Sequence, residues 1–190
     1  MMNFTDVERP EVVWNPTATS KVSSKLQTIL RQLNSNARVD RAQFLTHIII
    51  HGIQYTTSAK SFGNSCVLLG VPSSDVKIPA VIDSIMKIQT SADTVEIFLA
   101  VRRYNALRNP CNGSSRFQEV GLSIWSSELG DLEIVKPESI NCHYASLSFK
   151  TAELGAVIAV ISLARVAPPV RPDEDSDMLD ITISLNRLGL

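Results

Sequence analysis

The sequence predicts an α+β protein with an antiparallel-rich β-sheet core of about seven strands, two or three helices and a flexible N-terminal arm. Several segments alternate apolar and polar residues with a period of two, and two segments have helical spacing. These elements do not alternate in the βαβ rhythm of a parallel sheet. A chain of 190 residues suffices for one domain with its own core. We therefore expect an arm over 1–19 and a single α+β domain over 20–190.

The first 19 residues have no apolar periodicity and contain Pro10 and Pro16, which predicts a flexible arm. Trp14 follows two valines inside this arm. A tryptophan in a mobile segment is costly to leave in water, so it either docks on a neighbouring copy or folds back on its own core.

Residues 20–34 predict the first helix, because their apolar residues recur at the spacing of one helix face. Ser20 is a suitable N-cap, and the sequence NSN at 34–36 ends the helix. The apolar positions are Val22, Leu26, Ile29, Leu30 and Leu33.

Residues 44–55, FLTHIIIHGIQY, place two histidines four positions apart among β-branched and aromatic residues. On a helix, His47 and His51 would have the spacing found in zinc proteases, but Ile48 stands where that pattern needs a glutamate. On a strand, the two histidines would lie about 13 Å apart, too far to bind one metal ion. The composition favours a strand, so we predict two half-exposed histidines and no metal site.

The remaining elements follow in order. Residues 66–71 predict a short buried strand. Residues 75–89 predict a second helix, with Asp75 as its N-cap and Pro79 tolerated near its first turn. Beyond this point the alternation predicts strands at 94–104, 120–124, 145–149, 156–166 and 179–185, a loop at 108–116, and a proline-rich acidic linker at 167–177.

The motifs of common enzymes are absent from the sequence. The eight glycines form no phosphate-binding loop, and there is no nucleophile elbow. The three cysteines form no CxxC pair, which predicts free thiols. Cys142 and His143 are adjacent, so on a strand they point to opposite faces and cannot act together. We therefore predict a non-enzymatic protein without a cofactor or small-molecule substrate.

The charge pattern suggests that the chain associates with itself. Charged residues make up 19% of the chain, a low share, while 44% is hydrophobic and the net charge is −1. Part of the surface is therefore expected to be covered by other copies. A basic stretch at 21–41 and an acidic stretch at 173–180 would attract each other between copies. The residues predicted for self-association are Trp14, Lys21, Lys25, Arg31, Asp173, Glu174 and Asp175.

Four arginines are candidates for contact with phosphate or anionic lipid, although a solvated surface is the simpler interpretation of both basic stretches. They are Arg38, Arg41, Arg102 and Arg103.

The size of the chain and the order of its arm (1–19), strand (44–55), helix (75–89) and later strands resemble the matrix proteins of plant rhabdoviruses. The resemblance implies a role in condensing the nucleocapsid and bridging it to the envelope. Viral nucleoprotein or RNA and an anionic membrane would be the partners, and the virion and host cytoplasm the location. Animal rhabdovirus matrix proteins usually carry a basic N-terminal region and a PPxY-type motif. Here the arm is not basic and APPVRP at 167–172 has no tyrosine, which puts host budding recruitment in doubt.

Two alternatives stay open. A viral coat protein would enclose the genome directly. A cellular adaptor, located in the cytoplasm, would bind a partner through the same helix and tail, with residues 169–172 as a polyproline ligand.

Overall fold

A computed structural model describes residues 18–33, 39–71, 74, 76–91, 94–107 and 121–164. It confirms the α+β class, with antiparallel pairing throughout the described strands. The described elements are β1 (Ser20–Lys21), α1 (Ser24–Leu33), β2 (Arg41–Leu45), β3 (His47–Ile50), β4 (Ile53–Thr56), α2 (Phe62–Ser65), β5 (Cys66–Gly70), β6 (Lys77–Gln89), β7 (Val95–Tyr104), β8 (Leu122–Ser126), β9 (Leu129–Val135), a 3-10 turn (Pro137–Ser139), β10 (Ile140–Thr151) and β11 (Gly155–Ser162).

The main strands form a closed ring. β5 pairs with β6, β6 with β7, and β7 with β9, while β8 pairs with β11, β11 with β10, and β10 with β5. Only Ser127 and Glu128 separate β8 from β9. Asn105, just beyond β7, donates its N–H to the Glu128 carbonyl at 3.0 Å and accepts from the Ser126 N–H at 3.0 Å. The ring therefore closes where β8 turns into β9.

Helix α1 starts later than predicted. Ser20 and Lys21 instead pair with Ala42 and Arg41 as β1 and β2, and the Val22 N–H donates to the Asp40 carbonyl, which keeps this backbone extended. Helix α1 then packs its apolar side on the sheet and covers the first core. That core comprises Val22, Leu26, Leu30, Val39, Ala42, Met86, Ile88, Phe98, Ala100 and Ile134.

The prediction of one strand over 44–55 is wrong in detail, because Phe44 and Leu45 end β2 and the rest of the segment folds into the β3–β4 hairpin. His51 and Gly52 form its turn with φ values of 50° and 75°. Positive φ at both central positions is the requirement of a tight type I′ hairpin turn. His51 therefore lies in a turn, and both histidines are exposed rather than half-exposed. The hairpin covers the outer side of the ring, over a second core that includes Ile48, Tyr55, Val67, Leu69, Ala80, Ile82, Ile85, Leu99, Val101 and Ile140.

The predicted helix at 75–89 is also wrong, because β6 occupies Lys77–Gln89. Two features imitate helical spacing. The strand is buried on both faces, so its apolar residues do not alternate with polar ones. A β-bulge at Asp83 shifts the register and brings Ile82 and Ile85, three positions apart, into the same core.

The inside of the ring holds a third core with unusual composition. It combines aliphatic residues with two thiols and two phenols: Cys66, Leu68, Val81, Tyr104, Cys142, Tyr144, Ile158 and Val160, with Trp125 packed against them.

Four other predicted strands are found in the structure. They are 66–71 (β5), 94–104 (β7), 145–149 (β10) and 156–166 (β11, Gly155–Ser162). β9 was not predicted. The predicted loop at 108–116, the linker at 167–177 and the strand at 179–185 lie outside the described residues. Neither described helix has the length and apolar character needed to cross a membrane.

Candidate self-association surface

The outer face of β10, β11 and β8 forms a nearly continuous apolar surface, called here the apolar face. Antiparallel pairing aligns its side chains in three rows, because directly opposed residues share one side of a sheet. The rows are Ala145–Ile161–Leu122, Leu147–Ala159–Ile124 and Phe149–Val157–Ser126.

Much of this face is open to solvent. Leu147 is 69% exposed, Ile161 42% and Phe149 38%, and Leu163, just beyond β11, is 55% exposed. Val157, at one end, is buried. On the opposite side, Tyr144, Ile158 and Val160 belong to the third core. β11 is therefore apolar on both sides, which departs from the usual pattern of an antiparallel sheet.

The β3–β4 hairpin determines where the apolar face begins. His143 lies on the same outer side as Ala145, Leu147 and Phe149 and stacks on Tyr55 of the hairpin, with ring centroids 4.3 Å apart. Up to His143 the outer side is covered by the hairpin. Beyond His143 the same side of β10 is exposed at 145–150.

A diagonal line of small side chains crosses the apolar face and would form a shallow groove. The smallest side chain of each row shifts by one strand from row to row, from Ala145 to Ala159 to Ser126. Larger side chains flank this diagonal on both sides. The face therefore offers ridges and a groove into which apolar ridges of a second sheet can pack.

The size of the apolar face limits the strength of any contact between two such faces. Three strands about 4.8 Å apart, with outward positions about 6.8 Å apart, span about 300 Å². Stable protein–protein interfaces bury about 800 Å² on each partner. The apolar face alone therefore suits a weak, repeated contact.

The residues predicted for charge-based self-association are only partly described. Lys21, Lys25 and Arg31 are exposed, and Lys25 forms an ion pair with Asp131 at 3.6 Å. Trp14, Asp173, Glu174 and Asp175 lie outside the described residues. Lys25 and Arg31 lie in α1 and Lys21 lies in β1, and the predicted pairing with the acidic stretch stays a prediction.

The arginines predicted to contact phosphate are turned toward protein groups. Arg41 donates from Nε to Thr19 Oγ1 and from Nη2 to the Thr19 carbonyl, both at 2.8 Å. Arg102 pairs with Asp83 at 2.6 Å. Arg103 pairs with Glu133 at 3.1 Å.

Because Arg102 and Arg103 are neighbours in one strand, they point to opposite sides of the sheet and cannot form one patch. Arg38 lies outside the described residues. Phosphate or lipid contact at these four positions stays a prediction.

The thiols and phenols of the described fold are mostly buried. Cys142 Sγ lies 3.2 Å from Ser162 Oγ inside the ring, while His143 points outward, so the predicted opposite orientation is confirmed. Burial raises the pKa values of Tyr55, Cys66 and Tyr104. Burial raises the pKa of Tyr144 most strongly, and the neighbouring Cys66 and Tyr104 add to the effect.

No metal-binding cluster of three or more His, Cys, Asp or Glu side chains occurs within the described ranges. The absence of metal at His47 and His51 stays a prediction. Searches of protein-family models, curated proteins and solved structures found no match to the chain.

Proposed function

We propose that this chain is a non-enzymatic structural protein that assembles with copies of itself through the apolar face. The observation that supports this is a sheet face of three rows without a charged residue, open at Leu147, Phe149 and Ile161. A face of about 300 Å² is comparable to the largest apolar patch of a typical monomer, and such patches are often binding sites.

A second copy is the occupant that this face favours. The face contains no charge that would select a charged partner. Its ridges and central groove allow the same patch on two subunits to interlock about a two-fold axis, the commonest arrangement in homo-oligomers. The small area predicts a weak individual contact, and repeated contacts in an assembly would supply the missing strength.

The finer proposal is that the assembly is a viral matrix layer. It rests on the resemblance of chain size to plant rhabdovirus matrix proteins, because the helix expected at 75–89 in the order of elements is the strand β6. In that role the layer would condense the nucleocapsid and contact the envelope. A viral coat protein is the alternative. Sedimentation with vesicles of anionic lipid and with single-stranded RNA separates the two, because a matrix protein is expected to bind the vesicles and a coat protein the RNA.

Introducing charge on the apolar face tests self-assembly directly. Leu147→Asp and Ile161→Asp change exposed side chains, so the domain is expected to stay folded. Burying a charge without a partner is costly, and a leucine contact is lost as well. We expect association at least tenfold weaker than for the wild type, measured by sedimentation velocity over a concentration series.

Ile49→Asp is the matched control. Ile49 is 61% exposed on β3 and lies outside the apolar face, so this change should leave association unaltered. Equal association for all three variants and the wild type would refute the proposal. The predicted strand at 179–185 of the same chain is the other candidate to cover the apolar face. In that case, replacing Leu179, Ile181 and Ile183 by serine in the full chain would increase association.

A further inference from the structure

His143 joins three separate elements through both of its ring nitrogens. Its Nδ1 lies 3.0 Å from the Cys66 carbonyl oxygen at the start of β5. Its Nε2 lies 3.2 Å from the Gln54 carbonyl oxygen in β4. The ring also stacks on Tyr55 at 4.3 Å and 24°. One side chain of β10 therefore connects the β3–β4 hairpin with the main sheet.

Both partners of the ring are hydrogen-bond acceptors only. A carbonyl oxygen cannot donate, so each contact requires an N–H on the imidazole. A neutral imidazole carries one N–H, and its other nitrogen would direct a lone pair at a carbonyl oxygen. The doubly protonated ring satisfies both contacts, and hydrogen bonds from a charged donor are about twice as strong as neutral ones.

The surroundings of the ring offer the cation a favourable contact. The face of Tyr55 lies within the distance of a cation–π interaction. From β4 and β5 the facing groups are the Tyr55 ring and two backbone carbonyls, while the titratable thiols of Cys66 and Cys142 belong to the core on the other side of the sheet. Within the described ranges no carboxylate forms an ion pair with His143. The two carbonyls are thus the groups whose contacts depend most directly on the ring's protonation.

We propose that His143 is a pH-dependent latch that fastens the β3–β4 hairpin to the sheet when its ring is doubly protonated. A ring with a single N–H loses one of the two hydrogen bonds, and the hairpin then opens more readily. The latch lies where the hairpin cover ends and the apolar face begins. The inference is independent of the proposed self-assembly, since it concerns the folded subunit.

Hydrogen exchange in the full-length protein at pH 5.5 and 8.0 tests the latch. Protection is calculated relative to the intrinsic exchange rate at each pH, so that only the opening of the structure is compared. The protection of peptides covering residues 47–56 should be about tenfold to hundredfold lower at pH 8.0 than at pH 5.5. Peptides covering β6 and β7 in the same samples should change much less.

Three variants assign the effect. His143→Phe keeps an aromatic ring beside Tyr55 but no donor, and His143→Gln is not charged at either pH, so both should make hairpin protection independent of pH. The chain has only three histidines. The double change His47→Asn with His51→Asn removes the other two, both exposed, and should retain the wild-type pH dependence.

Nitrogen-15 NMR of the wild-type histidine rings provides a test that needs no variant. At pH 5.5 the ring of His143 should show two protonated nitrogens. The proposal is overturned if the ring is neutral at pH 5.5, if wild-type hairpin protection does not depend on pH, or if the His47 and His51 double variant loses that dependence.

Discussion

The phenols buried in the fold should make it unstable at alkaline pH, and Tyr144 allows the effect to be measured. Tyr144 is buried inside the ring of strands, and burial raises its pKa well above the ordinary value of 10.0. A raised pKa in the folded state means that the fold retains a proton which the unfolded chain releases. The stability contributed by the neutral phenol is therefore complete below pH 10 and is lost as the pH rises above it.

The magnitude follows from the linkage between protonation and folding. At pH 11 about ten of eleven unfolded chains have an ionised tyrosine, which favours unfolding by about 1.4 kcal/mol relative to pH 7, and at pH 12 by about 2.7 kcal/mol. Total stabilities are commonly about 5–15 kcal/mol, so one phenol removes a measurable part. Tyr55, Tyr104 and Cys66, whose pKa values burial also raises, act in the same direction.

Tyr144→Phe isolates the contribution of this phenol. The Tyr144 hydroxyl is buried without a hydrogen bond of good geometry, so its removal should change stability at pH 7 by less than about 1 kcal/mol. At pH 11 the variant should gain about 1.4 kcal/mol relative to wild type, beyond any difference at pH 7.

Urea denaturation at pH 7, 10 and 11 provides the measurement, with Ser146→Ala, an exposed change on the same side of β10, as the control. If the difference in unfolding free energy between Tyr144→Phe and wild type is the same at pH 7 and pH 11, the phenol ionises as readily in the fold as in the unfolded chain, and the reasoning is wrong.

Three further predictions concern α1, the hairpin turn and the histidines. Leu30→Ala should lower the free energy of unfolding by about 2–5 kcal/mol in urea denaturation, because Leu30 is buried between α1 and the sheet. The exposed change Gln32→Ala should alter it by less than about 0.5 kcal/mol, and similar losses for both variants would contradict this packing. Gly52→Ala should lower the free energy of unfolding by about 1–2 kcal/mol, because the φ of Gly52 is +75°. Gly63 also has open space around it but no positive φ, so Gly63→Ala should not destabilise the protein, and thermal unfolding compares the two variants. Protein purified without a histidine tag should contain no bound zinc by elemental analysis, and one equivalent lost in His47→Ala would show a metal site.

Period-two alternation predicted β7 and β10, in which apolar residues recur at every second position. It indicated the strands but not which faces are buried, because β7 is buried on both faces over 98–101. The helical spacing of Val22, Leu26 and Leu30 predicted α1, although its start was placed too early. Ser20 could not be excluded from the helix by local sequence, because what holds it in β1 is pairing with Ala42, 22 residues away.

β6 could not be predicted in this way. Its position at the centre of the fold buries both faces, and the bulge at Asp83 converts a two-residue spacing into the three-residue spacing of Ile82 and Ile85. Similarly, the turn at His51 and Gly52 divides one run of β-branched residues into two strands. The dipeptide His-Gly is a weaker turn signal than Asn-Gly or Asp-Gly, so composition alone favoured one continuous strand.

The apolar face escaped prediction for a different reason. The sequence predicted strands at 145–149 and 156–166. In the first, alternation favours burial of the side with Ala145, Leu147 and Phe149 over the side with Ser146 and Ser148, yet Leu147 is 69% exposed. Only the closed ring shows that Tyr144, Ile158 and Val160 fill the interior and that Leu147 and Ile161 therefore point away from it. The location of the face is a consequence of topology and not of any local pattern.

The apolar face and the charged stretches predict opposite responses of self-association to salt. Salt would screen the predicted attraction between Lys21, Lys25 and Arg31 and the acidic residues 173–175 of another copy over about 8 Å at physiological ionic strength. Lys25 already has a partner in Asp131, and exposed pairs contribute less than about 1 kcal/mol each. An apolar contact is not weakened by screening and is strengthened by sulfate.

We therefore expect association to be equal or stronger when sodium sulfate is raised from about 50 to 500 mM in sedimentation velocity experiments. Neutralising Asp173, Glu174 and Asp175 should leave association unaffected. Association that falls with added salt and is lost in this neutralised variant would assign the contact to the charged stretches and leave the apolar face to another partner.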